Sequence, residues 1–411
     1  MVGGVTSYPR CQQILSSCPS MENTYPDGSP EAGAGSGSGK ETRLPGIHHL
    51  LSELAGAFGD FGTIIPLILA VAVVCRLPLA PILLFFGIWY VLSGIIYQLP
   101  IPVEPMKAVA AVAIAEQLGA GEIAAAGLVL GIIFLAIGSE RWMAAIGRFI
   151  PEGVIRGIQL ALALLLIKTA IGFLTQDLWV FAFAFAIILA GLAFSWKTRV
   201  PDLSAIVVII LGIIIGIAIR GFPGFQMIAL PGLVIPTLGD TANAMTQLVL
   251  PQAILTVTNA ILATSLLSKD LFHREVPAQK LSRTIGIMNL TSVPFGGLPM
   301  CHGAGGLAGQ YRFGARTGLA NIVAGAFFLA LALFFASQAM LTLIPVGIFG
   351  ALLLFSALEL GKHGLKRDSW VIAGLMGVVA LVSSMTIAFV VGMVVAYGMM
   401  WYRGHYQKNA R

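Results

Sequence analysis

Apolar runs of 18 or more residues recur along nearly the whole chain, each long enough to cross about 30 Å of hydrocarbon as a helix. In lipid every backbone N–H and C=O needs an internal partner, so only helices and closed barrels can span. A barrel would show short alternating segments, and the sequence has none. With 57% hydrophobic and 10% charged residues, the chain lacks the polar surface that a water-soluble domain of this size requires. The fold class expected is an all-α polytopic membrane protein. Its glycines and prolines are scattered through the apolar runs, so broken helices are expected among the spans.

Periodicity and breakers place full spans near 52–73, 79–98, 121–138, 152–174, 178–196 and 203–221, with a short helix at 106–117. A second set falls near 247–268, 282–297, 317–335, 340–360, 370–384 and 385–402, with a short segment at 302–313. Matching elements stand about 195 residues apart, which reads as an internal repeat. The expectation is about 14 transmembrane segments in two inverted seven-segment repeats, 47–221 and 247–402, joined by an external connection over 222–246. The third element of each repeat is a short strand plus half-helix. Residues 1–46, rich in Ser, Gly, Pro and acidic side chains, read as a disordered cytoplasmic tail without the apolar core of a cleavable signal. Residues 403–411 read as a second cytoplasmic tail.

Loop charge bears on this layout. A cytoplasmic N-terminus places Arg141, Arg148, Lys197, Arg199, Lys269, Arg274, Lys280, Arg283, Arg312, Arg316, Lys362, Lys366, Arg367, Arg403 and Lys408 inside, and the connection 222–246 contains no Lys or Arg. Both termini are therefore expected in the cytoplasm, and the localisation is multi-pass in the cell membrane. Basic residues confined to short loops indicate orientation rather than a nucleic-acid partner. Cys11, Cys18, Cys75 and Cys301 lack the spacing of a disulfide framework or zinc site, so no metal or cofactor is expected.

Two segments break the hydrophobic pattern at matching places. The first runs from Gln98 through Pro100, Pro102 and Pro105, which enforces extended backbone before a helix able to start at Pro105. That helix has room for about 12 residues, roughly 18 Å, or half the membrane. The second, from Pro294 to Arg312, is again extended and then helical, and its glycines leave backbone N–H groups open to close approach. Half-helices entering from opposite faces would aim both N-termini at one midplane site, which suits an anion. Two helix ends at about +0.5 each, with Lys107 in the first turn of one, sum to about +2 and suit a dianion.

The candidate substrate-binding residues are accordingly Pro105, Met106, Lys107, Cys301, His302, Gly303, Ala304 and Gly305, joined by Thr258 and Asn259 from the eighth span. Several have a plainer reading beside the functional one. Lys107 would also pair with Glu104 three residues earlier, His302 would also serve as a satisfied packing residue, and Thr256, Thr258 and Asn259 would also hold helices together. Gln310 and Arg312 are placed at the cytoplasmic end of the second half-helix, outside direct contact with a ligand.

These segments carry a family resemblance. The stretches AGAFGDFGTIIP at 55–66, PVEPMKAVA at 102–110 and PMCHGAGGLAGQYRFGAR at 299–316 resemble the molybdate transporter family, a branch related to the sulfate permeases. The resemblance covers residues 50–402. It implies fourteen-segment carriers in which a core domain, built from elements one to four and eight to eleven, moves against a gate domain that supplies a dimer surface. It also implies molybdate or sulfate as the substrate. Sulfate permeases commonly carry a soluble regulatory domain after the last span, which this sequence does not show, and that fits the molybdate branch.

Moving a dianion inward against 100 mV costs about 4.6 kcal/mol, so accumulation needs a coupled cation. Asp60 and Glu104 are the expected coupling residues, and a Glu104 that takes up a proton would cease to repel an anion. Asp60 would also serve as a helix cap. The expected activity is molybdate import by proton symport. The alternatives are a sulfate transporter of the same fold or an anion channel. No zinc motif, nucleophile elbow or phosphate loop marks an enzyme.

Overall fold

A computed structural model describes residues 47–138, 149–198, 204–222, 232–336, 343–364 and 370–409. The tail 1–46, the loop cations Arg141, Arg148, Arg199, Lys366 and Arg367, and residues 223–231 lie outside the described residues.

The described chain is helical almost throughout. The first half comprises α1 (Ile47–Ala57), α2 (Phe61–Val74), α3 (Leu79–Tyr97), β1 (Glu104–Pro105), α4 (Lys107–Glu116), α5 (Ala120–Ala136), α6 (Glu152–Leu174), α7 (Leu178–Thr198) and α8 (Ser204–Arg220). The second comprises α9 (Leu238–Phe272), α10 (Ala278–Ser292), β2 (Met300–Cys301), α11 (Ala304–Arg312), α12 (Leu319–Phe334), α13 (Val346–Gly364), α14 (Trp370–Val382) and α15 (Met385–Asn409). By length and apolarity, six of the described helical spans suffice to cross a membrane, including the 25 residues of Leu50–Val74 and the 35 of Leu238–Phe272.

Four expectations need correction. The first span has a turn at 58–60, where Gly59 lies so close to the backbone of Gly309 and Gln310 that a β-carbon would not fit. The eighth span begins at Leu238, so helix occupies the end of the expected external connection, under a capping box between Thr237 and Asp240. It also contains two π-helical stretches, Met245–Val249 and Thr256–Ala263. The last helix runs to Asn409 through residues expected to form a tail. Finally, the first half-helix starts at Lys107, because Pro105 is held in the strand pair.

Left-handed backbone ends several helices. Arg76 and His273, Gln98 and Gly296, and Gln117 and Gly314 all have positive φ, and each pair is separated by about 197 residues. A non-glycine residue there costs about 1 kcal/mol or more, so such positions mark stops that the fold dictates.

Two sets of helices pack differently. Helices α3 and α12 cross where Gly87 faces Gly325 and Gly94 faces Gly318; a β-carbon on Gly87 would stand 2.9 Å from the Gly325 carbonyl, and one on Gly325 would stand 2.7 Å from that of Gly87. Helices α5 and α10 meet likewise, with Gly286 against the Gly131 carbonyl at 3.0 Å. Backbone-to-backbone contact of this kind gives dense packing in lipid, where no hydrophobic force pulls helices together. In the other set, α6 packs on α13 and α14, and its Gly157 receives the flexible side chain of Met376. The first set holds the strand pair, whereas α4 packs chiefly on α6 and α11 on α9 and α1.

Candidate functional site

The site is built where the chain is least regular. β1 and β2 pair antiparallel, Glu104 opposite Cys301 and Pro105 opposite Met300, and the Met106 N–H donates to the Pro299 carbonyl at 2.9 Å. Polar side chains from the surrounding helices fix this crossing. Asn289 donates to the Met300 carbonyl at 2.8 Å and accepts from its N–H at 2.9 Å. Ser93 and Asn321 both donate to the Ile101 carbonyl, at 2.6 and 2.5 Å. Gln310 in turn donates to Asn321 at 2.9 Å and is fully buried, so it braces the site from within the bundle rather than anchoring a cytoplasmic end.

Lys107 opens α4 and pairs with Glu104, Nζ to Oε2, at 2.5 Å. Of the two readings left by the sequence, the ion pair is therefore present, and the sum of about +2 is corrected downward by the neighbouring carboxylates. The Lys107 side chain is nonetheless 23% exposed whereas that of Glu104 is 1% exposed, so the cation is the member that reaches open space. The other oxygen of Glu104 accepts the Gly306 N–H of α11 at 3.0 Å. One carboxylate thus links the first turns of both half-helices.

Asp60, at the break before α2, accepts the Thr63 hydroxyl through Oδ1 at 3.1 Å, while its buried Oδ2 has no hydrogen-bond partner. A β-carbon on Gly306 would collide with both Asp60 Oδ2 and Glu104 Oε1, so the two carboxylates converge above that glycine. Gly303, the residue before α11, is kept bare by the Glu104 carboxyl group in the same way. Gly305 differs: it is exposed, and a β-carbon there would meet nothing within 4 Å. The N-terminus of α11 therefore borders open space at Gly305 and partly exposed Ala304.

Asp60, Glu104, Lys107, Gly303, Ala304 and Gly305 are thus brought together. Pro105, Met106 and Cys301 form the buried strand crossing beside them. The His302 ring is directed elsewhere: Nδ1 lies 2.8 Å from the Pro102 carbonyl, and Nε2 lies 2.8 Å from Thr284 Oγ1 and 3.3 Å from the Tyr97 hydroxyl. With both nitrogens engaged and 1% exposure, it bolts the two strand segments to α3 and α10, which is the packing alternative. Thr258 donates to the Ile254 carbonyl of its own helix at 2.8 Å, and the Asn259 carbonyl accepts from Thr264 at 3.1 Å, both within the second π-helical stretch.

One participant escaped the sequence reading. Gln252 of α9, 1% exposed, accepts the N–H groups of Ala108 at 2.9 Å and Val109 at 3.3 Å, and donates to Thr256 at 2.9 Å. The amides at the head of α4 are therefore covered by a carboxamide, and those at the head of α11 only in part, by Glu104 at Gly306. The available signal was a polar residue four positions before Thr256 in an otherwise apolar span, just after Pro251.

Half-helices meeting head to head within a bundle of apolar spans, with a cation and two carboxylates at the junction, are the arrangement expected of a membrane transporter. The fold is shared with solved structures: that of SLC26A9 superposes with a TM-score of 0.66 over 86% of this chain at 13% identity, although the chain spans only 66% of that protein. The transmembrane domain of a cyanobacterium bicarbonate transporter, BicA, matches at TM-score 0.58 and 18% identity over 85% of this chain and 96% of its own. A family model described as "Molybdate transporter of MFS superfamily" matches residues 52–166 and 244–360. Molybdate transporter 2 of Arabidopsis thaliana is 33% identical over 84% of this chain and 86% of its own length. The chain belongs to the molybdate transporter family.

Proposed function

We propose that the protein imports molybdate across the cell membrane by proton symport. The observation that carries this reading is the junction itself: Lys107, partly exposed, pairs with Glu104, which also holds the head of α11 and converges there with Asp60. A dianion seated against the Ala304 and Gly305 amides gains charge-assisted hydrogen bonds about twice as strong as neutral ones. It also draws Lys107 away from Glu104.

That exchange supplies the coupling. Ionised carboxylates are acceptors only, so Asp60 and Glu104 can bond each other only when one holds a proton. With Lys107 turned to the substrate, a proton on each carboxylate removes their repulsion of the anion, and the two protons carried balance the charge of the dianion against the membrane potential. Family membership and the molybdate named for the Arabidopsis relative support the substrate. Sulfate, equal in charge and shape but smaller, is the natural competitor. The repeat is read as inverted, with both termini in the cytoplasm and the gate helices carrying a dimer surface; the paired helix stops about 197 residues apart favour the repeat.

The test is uptake of labelled molybdate into proteoliposomes. Saturable uptake that an inward proton gradient accelerates and sulfate competes with is expected. Uptake that is indifferent to the proton gradient eliminates symport, and non-saturating flux that follows only the anion's reversal potential identifies a channel.

A further inference from the structure

We infer that Gln252 is an internal competitor for the substrate: its carboxamide occupies the anion-facing end of α4 and thereby sets how tightly oxyanions are held. The inference rests on the reading of the half-helix junction as an oxyanion site. Four observations converge on it. Gln252 Oε1 accepts two consecutive N–H groups at the head of α4, those of Ala108 and Val109, which is the placement an oxyanion oxygen takes at a helix N-terminus. Its orientation is fixed, because a flipped amide would turn the donor Nε2 onto those two N–H groups, while as placed Nε2 donates to Thr256. The residue is 1% exposed, so its bonds to these amides are made away from bulk water. Finally, Gln252 lies between π-helical stretches of α9, where the irregular ladder places it against α4 rather than in the lipid-facing row.

A carboxamide is a neutral ligand for a positive helix end, and a dianion is a charged one. The dianion therefore outcompetes Oε1 for these amides once it has reached Lys107, while Nε2 keeps its bond to Thr256. Because something must be displaced, weakly held anions fail where a well-fitted one succeeds. Gln252 on this account is a specificity-determining residue, distinct from a cap that merely keeps α4 folded.

The two roles give opposite signs. Removing a simple cap weakens the protein and its site together. Removing a competitor leaves two buried amides unsatisfied until an anion arrives, so binding tightens although the free protein is less stable. With purified full-length protein, Gln252→Ala is expected to lower the half-saturating molybdate concentration about tenfold, by analogy with the strength of one or two buried hydrogen bonds. It should also narrow the preference between molybdate and sulfate, and enlarge the rise in melting temperature that molybdate produces. Gln252→Glu, nearly isosteric, places a charged acceptor on the same amides and is expected to weaken molybdate binding relative to wild type. This second variant tests the inference even where the alanine protein fails to fold. Wild-type binding accompanied by unchanged or weaker binding in Gln252→Ala, or by unweakened binding in Gln252→Glu, overturns the inference alone. A wild type that binds neither molybdate nor sulfate overturns the site reading as well.

Discussion

Lys107 and Glu104 illustrate how one ion pair can be both structural and functional. A buried pair broken by removing one partner leaves an uncompensated charge, at a cost of about 3–5 kcal/mol, so neither residue is a free agent. Lys107→Ala strands Glu104 and removes the cation that the proposed substrate meets; we expect a loss of about 3 kcal/mol, roughly 100-fold in apparent molybdate affinity, measured by initial uptake rates. Glu104→Gln tests the other member. It keeps an acceptor for the Gly306 N–H but cannot accept a proton, so uptake should lose its dependence on an imposed proton gradient while equilibrium exchange of molybdate persists. Gradient-driven uptake equal to wild type would remove Glu104 from the coupling path. The place of this pair in the chain was legible in the sequence because three prolines and a PVEPMK run cannot continue a helix. His302 was not resolved there: a lone histidine looks the same whether its ring faces a ligand or, as here, Thr284, Tyr97 and the Pro102 carbonyl.

At the scale of elements, the half-helices are set by covalent geometry and the long helices by contact. Proline-rich segments stop α3 and Val293–Phe295 from running on, and the freed backbone pairs as β1 with β2. That arrangement follows from residue types alone, which is why its position could be anticipated to within about two residues. The turn between α1 and α2 and the π-helical stretches of α9 could not be placed in advance. Gly59 is too close to Gly309 for a reason that lies in another helix, and π-helical stretches have no composition signal. The glycine contacts between α3 and α12 should be intolerant of bulk. Gly325→Ala would place a methyl group 2.7 Å from the Gly87 carbonyl, and overpacking of this kind is expected to cost about 1–3 kcal/mol, seen as a lower melting temperature in detergent. Gly361→Ala in α13, where the nearest atom lies at 3.4 Å, should be nearly neutral in the same assay.

For the whole molecule, rigidity and movement are distributed unequally. The strand pair and the glycine-zipped crossings of α3 with α12 and α5 with α10 form one densely pinned body, on which α11 is tied through Gln310 and Asn321. The contacts of α6 with α13 and α14 run through side chains such as Met376, which adapt more readily. A carrier that moves its site relative to a gate would have to slide α4 along α6, where the two pack directly. The central claim, that an oxyanion sits at the head of α11 facing Lys107, is tested most directly at Gly305, because a side chain there meets open space and the fold should tolerate it. Labelled molybdate binding to purified Gly305→Leu is the measurement. The account predicts a protein with wild-type melting temperature that no longer binds molybdate, since the added side chain fills the seat. Undiminished molybdate binding by that folded variant would contradict it.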